Sequence, residues 1–496
     1  MVSRIKNSNF YLLILITSCI VALTACHQKE TKPFRYQADW ASIRSHYQTP
    51  SWFRDAKFGI FLHWGVYSVP ALSTKYAKYM YYENHPIKKY HRVHYGTVDK
   101  FGYKDFMPQF KAEHFDANQW VSLFKESGAR YVVPVAEHHD GFAMYNSHYT
   151  KWNSVNMGPK KDIVGLLAKA CKSQGLKFGV SSHLANWRRY YSKQDPKADT
   201  SNPAYEGLYW KQSEQKDKVS KAFLQTWWNR TTDIIDQYKP DLLWFDFKLD
   251  QKGFSPVHKK ILAYYYNKGL SWKKEVVFQD KNMKFQSFPN DLIVLDLERG
   301  RMDSIFPHPW QTDTSVGKRS WGYINDEEYK SAGYLIDELI DIVSKNGCLL
   351  LNIGPKADGT ISPEAKKILE EMGVWLKLNG EAIYDTRPWK IYGEGPTKIS
   401  SGNHTESENF ENVATDLRFT TKGETLYATA LGWPDDGKFI IKSLAKNNSH
   451  EKKKISAVEF ISGNNEIRWI QTSEGLVINT KGEKPCEAAY SFRIRF

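Results

Sequence analysis

The chain has 496 residues, 41 % hydrophobic and 25 % charged, which places it among globular proteins and excludes wholesale disorder. Its five cysteines are too few for a disulfide scaffold, and no heptad or solenoid period points to a fibrous or repeat protein. The formal charge is +14, but the lysines are scattered, tight runs such as Lys452-Lys453-Lys454 are short, and no nucleic-acid-binding motif accompanies them, so a solvated basic surface and no nucleic-acid partner is expected.

The N-terminus reads as an export signal. Arg4 and Lys6 precede an apolar stretch from Tyr11 to Leu23 that is too short for a comfortable membrane span. It ends in Leu23-Thr24-Ala25-Cys26, which resembles a bacterial lipobox. The expectation is a signal peptide over 1–25, a lipid on Cys26 that holds the protein to the cell envelope, and a polar tether over 26–37. Cleavage there removes two basic residues and no acid. Cys171, Cys348 and Cys486 are widely spaced and read as buried thiols.

From about Trp40 short apolar runs alternate with amphipathic segments. The runs read as buried strands are Phe58–His63, Tyr131–Ala136, Lys177–His183, Asp241–Asp246, Val276–Phe278, Leu292–Glu298, Ser320–Tyr323 and Leu349–Ile353. Most are nearly continuous in apolar residues, as parallel strands covered on both faces require. Helices are predicted over Ala117–Ser127, Ile163–Gln174, Lys218–Tyr238, Pro256–Lys268, Glu327–Lys345 and Pro363–Leu378, several with Gly at the C-cap or Pro at the start. This α/β alternation predicts a (β/α)8-like barrel over 38–388. Beyond it, residues 389–496 hold only short alternating runs between turn residues, which predicts an antiparallel β-sandwich.

Active sites of such barrels lie at the C-terminal ends of the strands. Those ends carry His63-Trp64-Gly65, the run from Glu137 to Phe142, Ser181-Ser182-His183, Asp246, Gln279-Asp280-Lys281, Asp296-Leu297-Glu298-Arg299, Trp321 and Asn352. Hydrogen-bonding groups for hydroxyls and indoles for apolar sugar faces suit a polyhydroxylated ligand, as does an aromatic content of 15 %. The histidines also admit a metal reading. Adjacent residues on a strand face opposite ways, however, and no H-x-H or H-E-x-x-H occurs, so no metal is expected. Two carboxylates stand out. Asp246 closes a very apolar run, where a carboxylate is costly unless used or paired. Glu298 ends a later strand. A retaining glycosidase needs two carboxyl groups ~5–5.5 Å apart. The bland alternative is an ion pair of Glu298 with Arg299 or Arg301, and Asp296 and Asp303 compete for its place.

The block from Trp52 to Pro70 closely resembles the opening of glycoside hydrolase family 29, the α-L-fucosidases. The likeness recurs at His138–Phe142, Pro240–Asp246, Ser320–Tyr323, Leu350–Pro355 and Asn379–Tyr384, spanning about 38–390. It implies a barrel followed by a β-sandwich, a retaining exo-hydrolase of fucosylated glycans, and no metal or organic cofactor. It implies Asp246 as nucleophile, His63, His138 and His139 as ligands of fucose hydroxyls, and Trp244 and Trp321 as pocket walls. Trp64, His183 and Lys281 complete the expected substrate-binding set. One family form places the acid/base in a Trp-Glu step. Here that step is Trp310-Gln311, which leaves Glu298 as the candidate. Lys78-Tyr79, Ser181-Ser182-His183 and Lys281 are further departures. An apolar pocket discriminates weakly against an added hydroxyl, so an α-L-galactosidase stays open. So does a glycan-binding lipoprotein without activity. Linkage, aglycone and oligomeric state are not legible.

Overall fold

The computed structural model describes residues 34–193, 195–210, 218–281, 287–406, 412–447, 450–464, 466–481 and 484–496. The predicted signal peptide and Cys26 lie outside the described residues. The chain divides into a short unit ending at Tyr36 and one large unit, Gln37–Phe496, which holds both the barrel and the β-domain.

Eight parallel strands close the barrel in chain order: β1 (Phe58–Leu62), β2 (Tyr131–Glu137), β3 (Lys177–Ser182), β4 (Leu242–Phe245), β5 (Val277–Asp280), β6 (Val294–Glu298), β7 (Trp310–Ser315) and β8 (Gly347–Ile353). β8 pairs back onto β1, with Leu62 opposite Ile353. Alternate side chains fill the interior, among them Phe61, Tyr131, Val133, Val135, Leu242, Trp244, Val277 and Leu350, with Phe53 of the preceding short helix packed into the same cluster.

The long helices are α1 (Ala117–Glu126), α2 (Ile163–Gln174), α3 (Lys221–Tyr238), α4 (Ser255–Trp272), α5 (Ala332–Ser344) and α6 (Pro363–Asn379). Their starts follow local chemistry. The side chains of Asp116, Asp162, Ser220, Ser331 and Ser362 each accept a backbone N–H of the first turn. Among the described residues no long helix separates β5 from β6 or β6 from β7.

Two expectations need correction. The seventh strand is Trp310–Ser315, whereas Ser320–Tyr323 is a loop. Five of the six strand residues are polar, so no apolar run marks them, yet all six are buried. A hydrogen-bond network satisfies them. Gln311 donates to Asp296 at 2.6 Å and to Gln279 at 3.1 Å, and accepts from the Tyr131 hydroxyl at 2.8 Å. The fifth helix begins at Ala332 because Tyr329 instead forms a bridge with Gly317.

The second sheet system starts at Arg387. A five-stranded antiparallel sheet and a three-stranded one enclose a core of Trp389, Leu417, Phe419, Phe439, Ile478 and Phe492. Strands β9 (Arg387–Glu394) and β10 (Leu417–Lys422) add to those the sequence pattern predicts. The remaining strands, β11 (Thr425–Ala430), β12 (Lys438–Ile441), β13 (Ala457–Phe460), β14 (Ile467–Gln471), β15 (Leu476–Thr480) and β16 (Tyr490–Arg495), follow the sequence pattern. Cys171 and Cys348 are buried thiols, and Cys486 is half-buried.

Candidate active site

The strand ends converge on a cavity of about 340 Å³, lined in part by His63, His138, His139, His183, Trp244, Asp246, Lys281, Glu298, Asp313 and Trp321. Each side chain arrives there for a local reason. His63 follows β1, and Asn352 on β8 holds it twice: the amide oxygen accepts its backbone N–H at 3.0 Å and its Nδ1 at 2.8 Å. Because an amide oxygen only accepts, Nδ1 carries the proton and Nε2 is left as an acceptor. The Asn352 Nδ2 donates to the Trp321 carbonyl at 2.6 Å, so one residue positions both an imidazole and an indole wall.

β2 ends at Glu137, before the two histidines. The alternation that would part His138 from His139 therefore does not apply, and both line the cavity. His139 Nδ1 donates to the His183 carbonyl at 3.0 Å. Its Nε2 lies 3.3 Å from Asp246 Oδ2, and His183 Nδ1 lies 3.6 Å from the same oxygen.

Lys281 is the electrostatic centre. Its ammonium sits 3.5 Å from Asp246 Oδ1, 2.8 Å from Glu298 Oε2 and 3.1 Å from Asp313 Oδ2, and 4.9 Å above the Trp244 ring. Burial works against the Asp246 charge, but Lys281, His139 and His183 outweigh it and hold the carboxyl well below the usual range. Burial also opposes the Lys281 charge, yet Asp313, Glu298 and Asp246 keep its pKa well above that of an ordinary lysine. Burial and the neighbouring Asp296 push Asp313 well up, toward its neutral form.

Burial, with a further contribution from neighbouring histidines, drives His63 and His138 well below the usual imidazole range. Burial likewise pushes His183 down to about 4. Neutral imidazoles both donate and accept, which suits hydroxyl ligands. They could also hold a metal: ligand atoms of His63, His138 and His183, and of His139, His183 and Asp246, lie within 4.8 Å of one another. Lys281 argues for the hydroxyl reading, since it already supplies the cation against Asp246 and would repel a second one.

Most of the expected residues come together here. Trp64 does not. Its indole points away from the cavity, packs on Phe110 and Trp120, and donates to the Lys356 carbonyl at 2.8 Å. It follows inward-facing His63 by one position, so it faces the helical layer. Glu298 pairs with neither Arg299 nor Arg301, whose partners are Glu406 and Glu338. Of its competitors, Asp296 lies buried under Gln311 and Asp303 is exposed. Sequence reasoning missed Asp313, hidden in the polar strand β7, and His404, which comes from the loop between β9 and β10.

A closed parallel barrel with paired carboxylates, neutral imidazoles and indole walls at the strand ends is the architecture of a glycoside hydrolase. An α-L-fucosidase family model matches residues 22–381, and a model of the α-L-fucosidase C-terminal domain matches 410–495. The chain belongs to the α-L-fucosidase family. It is 32 % identical to rat tissue α-L-fucosidase over 472 residues, covering 93 % of each chain, and 30 % identical to human plasma α-L-fucosidase over 93 % of this chain and 92 % of that one. The structure of Thermotoga maritima α-fucosidase in complex with fucose aligns with a TM-score of 0.73 at 31 % identity, over 92 % of this chain and all of that one.

Proposed function

We propose that this protein is a retaining exo-α-L-fucosidase that removes terminal fucose from glycans, with Asp246 as nucleophile and Glu298 as acid/base. The observation that carries the reading is the shared contact of both carboxyl groups with Lys281, which gathers the nucleophile and acid candidates around one cation in the same pocket. In the first step Asp246 attacks the anomeric carbon. The bond to the glycosidic oxygen breaks, and that oxygen takes the Glu298 proton. In the second, Glu298 takes a proton from water while the water oxygen displaces Asp246. His63, His138, His139 and His183 hold the sugar hydroxyls, and Trp244 and Trp321 face the ring.

Hydrolysis of an aryl α-L-fucoside by the wild type and not by Asp246→Asn tests the nucleophile. Near-normal turnover by the variant rejects it. Azide should rescue Glu298→Ala and yield a glycosyl azide; rescue of Asp296→Ala in its place would reassign the acid/base. Aryl α-L-galactoside turned over in preference to the fucoside would make the protein an α-L-galactosidase, and binding without turnover of either would make it a lectin-like protein.

We also propose export with a lipid on Cys26, on the strength of the charged start, apolar stretch and lipobox-like ending. Fatty-acid labelling that is lost in Cys26→Ser tests this.

A further inference from the structure

We infer that the outer face of α4, with the adjoining face of α3, docks on the anionic phospholipid surface of the membrane that holds the anchor. The inference rests on the lipid on Cys26 proposed above and adds which side of the barrel the membrane meets. From Lys252 to Lys274 the chain carries six lysines and no acid. Among the described residues two of the six pair with acids, Lys268 with Asp236 at 2.9 Å and Lys274 with Asp241 at 3.3 Å, while Lys252, Lys259, Lys260 and Lys273 stand exposed. On α6, by contrast, exposed lysines are matched: Lys366 faces Glu370 at 3.7 Å and Lys367 faces Glu371 at 3.8 Å. Part of the positive charge is therefore gathered on one flank.

Between the lysines the same face shows apolar groups. Leu270 is 45 % exposed. Trp272, Tyr264 and Trp228 of α3 are half-buried, the last two edge to face at 5.6 Å. Rings with an apolar body and a wet end, interleaved with lysines, make a surface that settles at lipid headgroups.

The chain also enters the large unit beside this face. Trp40 lies under the Lys259 ammonium at 5.5 Å, and Tyr47 stacks on Tyr266 at 4.3 Å, so residues 40–47 run along the edge of α4. The eleven residues from Cys26 to Tyr36 reach at most about 40 Å when fully extended. A lipid on Cys26 keeps the domain within that reach of the membrane, and charge then selects the flank that turns toward it. α4 joins β4 to β5, whereas α5 and α6, which hold the β-domain through Asp341 and Trp375, flank β8. In a ring of eight strands these are opposite sides. Docking on α4 lays the barrel on its side, turns the β-domain outward and leaves the cavity mouth open along the membrane plane.

The test uses the chain from residue 26 onward with Cys26→Ser, so that no lipid contributes, and vesicles of phosphatidylglycerol and phosphatidylethanolamine beside vesicles of phosphatidylcholine. The protein should co-sediment with the anionic vesicles, and binding should weaken as salt rises. Adding Lys260→Gln and Lys273→Gln should lower partitioning about twenty-five-fold, about five-fold for each lysine, with aryl α-L-fucoside hydrolysis unchanged. Lys366→Gln with Lys367→Gln removes the same charge from α6 and should leave binding as it was. Equal partitioning onto both kinds of vesicle overturns the proposal, as does an α6 variant that loses as much as the α4 variant. Stronger retention on a sulfated polysaccharide such as heparin than on the vesicles would assign the face to an anionic glycan and overturn it too. Those three results leave the anchor standing, whereas absence of the Cys26-dependent fatty-acid label sinks the anchor and the docking with it.

Discussion

Asp246 and His183 illustrate how burial acts in opposite directions on an acid and a base in one pocket. The carboxylate keeps its charge because Lys281 and two imidazoles face it, while His183 loses its charge because desolvation outweighs what Asp246 returns to it. The unfolded imidazole takes up a proton near pH 6.5, whereas the folded His183 does so only near pH 4. Between those values the unfolded state binds the extra proton, so stability drops as pH falls through the window. His183→Gln lacks this proton uptake. Its unfolding free energy should fall by about 1 kcal/mol less per pH unit than that of the wild type across that range. Denaturant titrations at several pH values measure the difference, and parallel curves for the two proteins would refute the shift. Lys281 differs again. Replacing it with Met removes the cation from three carboxyl groups, and fucoside hydrolysis should fall about a hundred-fold or more, on the scale of losing a preorganised charge.

The turn after β2 sets two histidines into the pocket and depends on one backbone conformation. Gly141 has φ +78°, and a Cβ there would stand 2.3 Å from the Trp187 indole nitrogen and 2.9 Å from the Leu208 carbonyl oxygen. The Trp187 indole already donates to that carbonyl at 2.6 Å, so it has little freedom to retreat. Beneath the turn, Arg230 donates to the Gly141 carbonyl at 2.9 Å and pairs with Glu137 at 2.5 Å, all buried. Gly141→Ala should therefore cost about 2–4 kcal/mol, from a strained φ plus overpacking, and should lower activity with it. Thermal unfolding of the variant alongside the wild type checks this, and an unchanged Tm would mean the turn relaxes freely. The same economy of placement holds at β8, where Asn352 binds His63 and the Trp321 backbone together.

Barrel and β-domain meet through buried polar contacts as well as apolar packing. Arg418 on β10 pairs with Asp341 of α5 at 2.6 Å, both buried. Trp375 of α6 donates to the Ala489 carbonyl at 2.8 Å, and Ser462 donates to Asn379 at 2.6 Å. Removing one partner of a buried charge pair typically costs about 3–5 kcal/mol, of the order of a whole domain's stability when several such contacts go at once. A chain ending at Thr386 should accordingly be insoluble or unfold at much lower temperature than the full chain. Soluble expression, circular dichroism and fucoside hydrolysis of the truncated protein test this together. A stable, fully active truncation would show that the β-domain is dispensable, contrary to the place of Asn403 and His404 beside Glu298.

Apolar runs made most of the barrel legible before any coordinates, because parallel strands covered on both faces must be apolar nearly throughout. The strand ends then named His63, His138, His139, His183, Asp246, Lys281 and Glu298, since ionisable groups closing apolar runs are costly unless used. β7 escaped notice because its polar residues are satisfied by partners on other strands, a fact of three-dimensional pairing that no local pattern records. Trp64 was misread for a related reason: neighbouring positions at a strand end face different layers, and only the closed barrel says which layer is the pocket. Local chemistry also told nothing of the lysine bridging three carboxyl groups. Asp313 lies on β7, Lys281 and Asp246 just beyond β5 and β4, and a charge interaction follows distance in space. Composition and periodicity thus specify which segments are buried and where reactive groups collect. Which of those groups face one another, and that a loop from the second domain reaches the candidate acid, depend on long-range closure of the chain.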